Sequence, residues 1–220
     1  MQPAAWPLLQ RRLVDALLQL DAAAAEAVLG QAFAHYALDD VCFKLIEPTL
    51  VTIGEGWHQG VVSVGQEHFA TQLLRRRIGA LLSVYDAPAG YTTVVCACAP
   101  GEQHDMGLLL LALVLVRRGY RVLYLGADVP VGGLLPVVEQ MAADVVCLSA
   151  STTVTAAGVR AVAEALQRLP RPPLVIAGGR GMRGIAAVEG LYVRLDGSAL
   201  AVADRIAALI ANRRETTGER

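Results

Sequence analysis

Net charge, paired-cysteine motifs and long apolar runs are all scarce in this sequence, and each shortage removes a class of function. Lysine plus arginine number 19 against 20 aspartate plus glutamate, a net charge of −1, so there is no basic field to draw nucleic acid or anionic lipid. The four cysteines, Cys42, Cys96, Cys98 and Cys147, lie in apolar runs without Cys-x-x-Cys spacing. That argues against a zinc site or a disulfide framework and for buried free thiols of a cytoplasmic protein. No stretch reaches the roughly 18 to 20 consecutive apolar residues of a membrane span. The first twenty residues are interrupted by Arg11, Arg12 and Asp15, so no secretory leader is read there and no membrane partner is expected.

What is there is apolar patterning: 55% of the 220 residues are hydrophobic, enough for a substantial core. Two periodicities meet at the Pro/Gly segment Tyr85 to Tyr91. Before it, Leu9, Leu13, Ala16, Leu17 and Leu20 share a helical face. Asp21 is placed to cap a second helix reaching about Tyr36, and a third runs from about Asp40 to Trp57. Pro48 kinks or restarts the third helix, whose stripe is Ile46, Leu50, Ile53 and Trp57, so Trp57 is expected to face inward. A fourth helix follows Ser63, with Ser63 to Gln66 spaced as a capping box, and runs to about Val84. The expectation for residues 1–85 is a four-helix bundle. After the linker, strands Thr93 to Cys98, Val122 to Leu125, Val145 to Ser149, Leu174 to Ala177 and Tyr192 to Leu195 alternate with helices. The helices are Leu108 to Arg118, Gly132 to Ala143, Thr155 to Arg168, a short one near Gly184 to Glu189, and Ala199 to Arg213. Strands apolar on both faces, separated by helices, predict a Rossmann-like parallel sheet over residues 91–213, with a disordered tail at 214–220. The fold class is α + α/β.

Ligands of such a sheet bind outside the carboxyl ends of the strands. The loop Gly101-Glu102-Gln103-His104-Asp105-Met106-Gly107 places a histidine there, with Asp105 or Glu102 in reach of its distal nitrogen. The loops Gly126-Ala127-Asp128-Val129-Pro130, Ser149 to Thr153 and Ala177-Gly178-Gly179-Arg180 lie at the same end. The last two offer small residues and hydroxyls to a flat or extended ligand.

In the helical part, Glu67 shares a face with Thr71, Leu74, Ile78 and Leu81. A carboxylate there needs a polar partner, a side chain or a ligand. By helix geometry His58 and His68 stand at the margin of the inward face.

Taken in order, Glu102-x-His104-x-x-Gly107, Gly126-Ala127-Asp128-Val129-Pro130, Ser149-x-Ser151 and Gly178-Gly179 resemble the cobalamin-binding domains of the methionine-synthase and mutase type. Glu102 stands where aspartate is commoner. The resemblance implies that His104 is the lower cobalt ligand. It also implies that Glu102, Asp105, Gly107, Val129, Ser149, Ser151, Thr153, Gly178 and Gly179 bind the cofactor, with the nucleotide tail between the Ser and Gly-Gly loops. Trp57, nine residues, then Glu67-His68, with His58 beside the tryptophan, resembles the cap of CarH-type light-responsive regulators that use adenosylcobalamin. That resemblance implies that Trp57 packs over the adenosyl group, Glu67 contacts its ribose, His68 supports the pocket, and His58 becomes the upper cobalt ligand after photolysis.

The implied function is a cobalamin-binding photoreceptor and transcription-regulation module, not an enzyme, with no catalytic residues. Its cofactor would be adenosylcobalamin, the alternatives being methylcobalamin and hydroxocobalamin. Its helical cap would move on illumination and change homo-oligomerisation or contact with a regulatory partner protein. Direct DNA binding is not expected, because the chain starts at the bundle and shows no helix-turn-helix wing. The alternative is a corrinoid carrier for methyl transfer, which would share the sheet site but has no need of His58.

Overall fold

The computed structural model describes residues 5–85 and 92–217, which fall into two compact units divided between Ala80 and Leu81. Most of the expected linker, residues 86–91, lies outside the described residues, as does the tail from residue 218.

In the first unit the helices are α1 (Ala5–Leu18), α2 (Ala22–His35), α3 (Leu38–Val41), α4 (Glu47–His58) and α5 (Val64–Leu82). Asp21 caps α2, its carboxylate accepting from Ala24 N at 2.9 Å. Between α3 and α4 the backbone widens into a π-helical turn, Cys42–Ile46, so that 38–58 is one continuous helical run. The cause is Pro48, which has no N–H to give and whose ring crowds the carbonyl four residues back. The helix is therefore not restarted at the proline.

Two local devices then fix the α4–α5 connection. Gly60, at φ +75°, ends α4 with a Schellman pair: Gly60 N donates to Trp57 O at 3.0 Å and Val61 N to Gly56 O at 2.9 Å. Ser63 and Gln66 form the expected capping box, Ser63 N donating to Gln66 Oε1 at 3.0 Å and Gln66 N to Ser63 Oγ at 3.3 Å. The amide of Gln66 also donates to Leu18 O at 2.7 Å, tying α5 to the end of α1.

One expectation for this unit is overturned. Trp57 is 40% exposed and does not face inward. The buried line of the run is Ile46, Thr49, Ile53 and Gly56, so the last inward place falls to Gly56, about 100° round the helix from Trp57. Val62 packs over it: a Cβ on Gly56 would stand 2.6 Å from Val62 Cγ2.

The second unit is a five-stranded, wholly parallel sheet in the order β2-β1-β3-β4-β5. Its strands are β1 (Thr93–Cys98), β2 (Arg121–Gly126), β3 (Val145–Ser149), β4 (Leu174–Gly178) and β5 (Val193–Arg194). The helices are α6 (Met106–Arg117), α7 (Val131–Gln140), α8 (Thr153–Gln167) and α9 (Ala199–Thr217). Alternate residues of the central strands, Val95, Ala97, Val146, Leu148, Val175 and Ala177, form one core with Leu134 and Val138 of α7 and Val159, Val162 and Leu166 of α8. On α6 every residue from Leu108 to Val116 is buried, as a helix apolar all round requires. All four cysteines are buried and none is in a disulfide. A hydrogen bond with Cys147, together with burial, pushes the Cys96 thiol well above the ordinary thiol range, so it stays protonated and unreactive.

Two further expectations for the sheet unit fail. The short helix near Gly184 to Glu189 is not formed: a 3₁₀ turn, Arg180–Met182, precedes it, and Val188 makes an isolated bridge to Tyr192. Gly184 and Gly190 take φ of +81° and +73°, leaving too few helical residues between them to repay nucleation. Ile185 and Val188 pack on the core instead. The tail is helical to Thr217 rather than disordered from residue 214, because α9 continues past Arg213.

Candidate functional site

In this arrangement the order in which strands are added reverses between β1 and β3, and the crevice outside their carboxyl ends is where ligands of open α/β sheets bind. The loops after β1 and β3 are drawn together there, with Ala99 N donating to Ser149 O at 2.9 Å. Ala150 N donates in turn to Gly178 O at 3.0 Å, bringing in the loop after β4. Gly179 permits this last approach. It lies at φ +104°, and a Cβ on it would stand 2.3 Å from Ala150 O. Gly181, which the sequence reading passed over, plays the same part, since its Cβ would stand 2.1 Å from Thr152 O.

Glu102 sits at the centre of this crevice. Its side chain is 1% exposed, against 61% for His104. Oε1 accepts from His104 N at 2.8 Å and contacts His104 Nδ1 at 2.7 Å. Oε2 accepts from Ser151 N and from Thr155 Oγ1, the latter at 2.7 Å. Burial alone would raise this carboxyl, but the four donors outweigh it and hold Glu102 at about 2. Glu102 is therefore an anion and an acceptor only. The proton on the neutral His104 ring consequently lies on Nδ1, and the lone pair is left on the exposed Nε2.

Of the two carboxylates the sequence offered to His104, Glu102 holds the ring. Asp105, 3% exposed, accepts from Tyr124 Oη at 2.7 Å and so leans on β2. Thr155 is the member of this group that sequence reasoning missed. Its signal was the spacing Thr152-x-x-Thr155, a capping box with a hydroxyl in the third helical place: Thr155 N donates to Thr152 Oγ1 at 3.1 Å. Val129 lies beside this loop, its N donating to Cys98 O at 3.3 Å. Thr153 is exposed at the start of α8, and Ser149 and Ser151 are half-buried. No hydrogen bond engages the two serine hydroxyls among the described residues.

The remaining four residues belong to the helical unit. Trp57 and His58 close α4 with ring centroids 4.7 Å apart, and His58 is exposed. In the first turn of α5, Glu67 accepts from Thr71 Oγ1 at 2.8 Å and lies 2.6 Å from His68 Nδ1. The polar partner expected for Glu67 is thus supplied by its own helix.

Two family models, both described as a B12 binding domain, match the chain, one over residues 9–82 and the other over residues 92–192. The chain belongs to the B12-binding family. Among curated relatives of this B12-binding chain, the HTH-type transcriptional repressor CarH of Myxococcus xanthus is 38% identical over 147 residues, covering 66% of this chain and 48% of that one. The repressor CarA of the same organism is 39% identical over 126 residues, covering 56% and 42%. The chain therefore spans about half the length of these relatives or less. The solved structure of the Methanosarcina barkeri monomethylamine corrinoid protein superposes with a TM-score of 0.74 at 17% identity, over 93% of this chain and 99% of that one. That likeness shows the fold.

The residues of the B12-binding site suit a corrinoid. Among the described residues no cluster of three or more His, Cys, Asp or Glu side chains could cage a metal ion. A single oriented imidazole suits a metal that carries its other ligands with it. Gly107 supports the same fit. A Cβ there would meet nothing within 4 Å, so no packing inside the chain demands a glycine, and the bare backbone beside His104 is left open to a flat ring.

Proposed function

We propose that this chain is a light-sensing module of transcription regulation that binds adenosylcobalamin, with His104 Nε2 as the lower ligand and the helical unit as a cap over the upper face. Cobalamin, when bound, supplies a light-labile cobalt–carbon bond. Ser149, Ser151, Thr153, Gly178 and Gly179 line the sheet side. Trp57 packs over the adenosyl group, Glu67 contacts its ribose, and His68 holds Glu67. Without the adenosyl group those contacts would be absent, and His58 would be the residue left to hold the cobalt. The cap is thereby a two-state element, biased one way by Trp57 and Glu67 and the other by His58. Output passes through self-association or a partner protein in the cytoplasm.

The observation that carries this reading is the presentation of Trp57, His58, Glu67 and His68. They stand at the two ends of one connection fixed by the Gly60 Schellman pair and the Ser63–Gln66 box, and Trp57 and His58 are exposed rather than spent on the core. The likeness to CarH and CarA supports it. A corrinoid carrier for methyl transfer, the second reading, has the fold likeness to the monomethylamine corrinoid protein in its favour but gives His58 no task. The test is His58→Ala. Its dark spectrum with adenosylcobalamin should match that of the parent chain, and after illumination the bis-histidine spectrum should be absent. An unchanged illuminated spectrum would remove His58 from the account, and transfer of a methyl group from the bound cofactor to a thiol would favour the carrier.

A further inference from the structure

We infer that Asp128, in the loop after β2, is the positioning residue for Glu102 and, through it, for His104. The consequence for cofactor binding rests on the cobalamin reading above, whereas the geometry stands without it. Asp128 Oδ1 accepts from Gly101 N at 2.7 Å, and Asp128 N donates to Glu102 O at 2.8 Å. Two consecutive residues of the histidine loop are therefore gripped from the side of β2, while the Glu102 carboxylate is gripped from the side of β3 by Ser151 N and Thr155 Oγ1. Glu102 hangs between the two strands that flank its own.

The grip has work to do, because Gly101 lies at φ +80° and nothing on its missing side chain fixes the turn. Asp128 itself takes φ +50°, a left-handed conformation that aspartate and asparagine tolerate better than other side chains do. The strand beneath it is built for the same end. Cys96 pairs with Tyr124 but Ala97 with Gly126, so Leu125 is an extra, bulged residue. Such a bulge re-aims the end of a strand, here toward the loop after β1.

The test uses the full chain with Asp128→Gly, Asp128→Ala and Asp128→Asn. One readout is the ¹⁵N spectrum of the His104 ring in the cofactor-free protein, which reports which nitrogen holds the proton. The other is the nitrogen splitting in the electron paramagnetic resonance of protein loaded with cob(II)alamin. Asp128→Gly decides the matter, since it removes the acceptor without adding strain at a φ of +50°. It should lower the ratio of Nδ1–H to Nε2–H tautomers several-fold and weaken the axial nitrogen splitting, as should Asp128→Ala. Asp128→Asn, which keeps an acceptor and tolerates the backbone, should preserve both signals. A wild-type tautomer ratio in Asp128→Gly overturns the inference, even if the variant is less stable. Should the parent chain take up no cobalamin, the cobalamin reading fails while the ring spectrum still decides the role of Asp128.

Discussion

Glu102→Ala is expected to lower the unfolding free energy by roughly 3 kcal/mol, the scale of leaving a buried charge-assisted cluster without its partner. It should lower the melting temperature by about 10 °C for a unit of this size. The cause is the set of donors left behind: His104 N, Ser151 N and Thr155 Oγ1 all point at one carboxylate that is 1% exposed. Glu102→Gln keeps one acceptor oxygen but sets an amide against a donor, so it should fall between the two. The same carboxylate sets an acid limit. Its folded pKa of about 2 lies below the ordinary 4.5, so its contribution is present in full above pH 4.5 and is lost as pH falls from about 4.5 toward about 2. At 1.36 kcal/mol per unit that difference is of order 3 kcal/mol. Denaturant titrations at a series of pH values check this. Wild-type stability should fall across that interval more steeply than that of Glu102→Gln, and parallel curves would show that Glu102 is not held as a buried anion.

His104→Ala should separate the two roles. Its side chain is 61% exposed, so stability should change by less than about 1 kcal/mol. Cobalamin affinity should nevertheless fall on the order of 100-fold or more, because even partners that only orient a metal-bound histidine cost 10- to 100-fold when removed. Bound cofactor should then show the spectrum of cobalt without a lower nitrogen ligand. Calorimetry with cobalamin and a thermal melt of the same sample provide the check. Wild-type affinity in a folded His104→Ala would remove the ligand role, whereas a collapsed melt would mean that the ring is structural.

The two kinds of periodicity were readable because burial imposes them. β1 and β3, at the centre of the sheet, begin and end where apolar runs do. The edge of the sheet was read less well: the segment after β4 took its form from Gly184 and Gly190 and from the packing of Ile185 and Val188, which no helical period announces. Trp57 was misplaced for a related reason. The spacing Ile46, Leu50, Ile53, Trp57 suits an α-helix, but so does Ile46, Thr49, Ile53, Gly56, and the choice between them depended on Val62 arriving over Gly56. In the crevice, Glu102 and His104 were visible as a local motif. Thr155 and Asp128 were not, because they reach the Glu102 loop from the first turn of α8 and from the loop after β2, whose approach is set by strand order and by a bulge.

On the proposed function, light acts on the chain through a cofactor that His104 and the residues of the α4–α5 connection would both contact. The direct measurement is the absorption spectrum of the protein, reconstituted in the dark with adenosylcobalamin, before and after green light. The dark spectrum should be that of cobalt with a nitrogen lower ligand and should convert on illumination to one with nitrogen on both faces. A spectrum unchanged by light would contradict the proposed function.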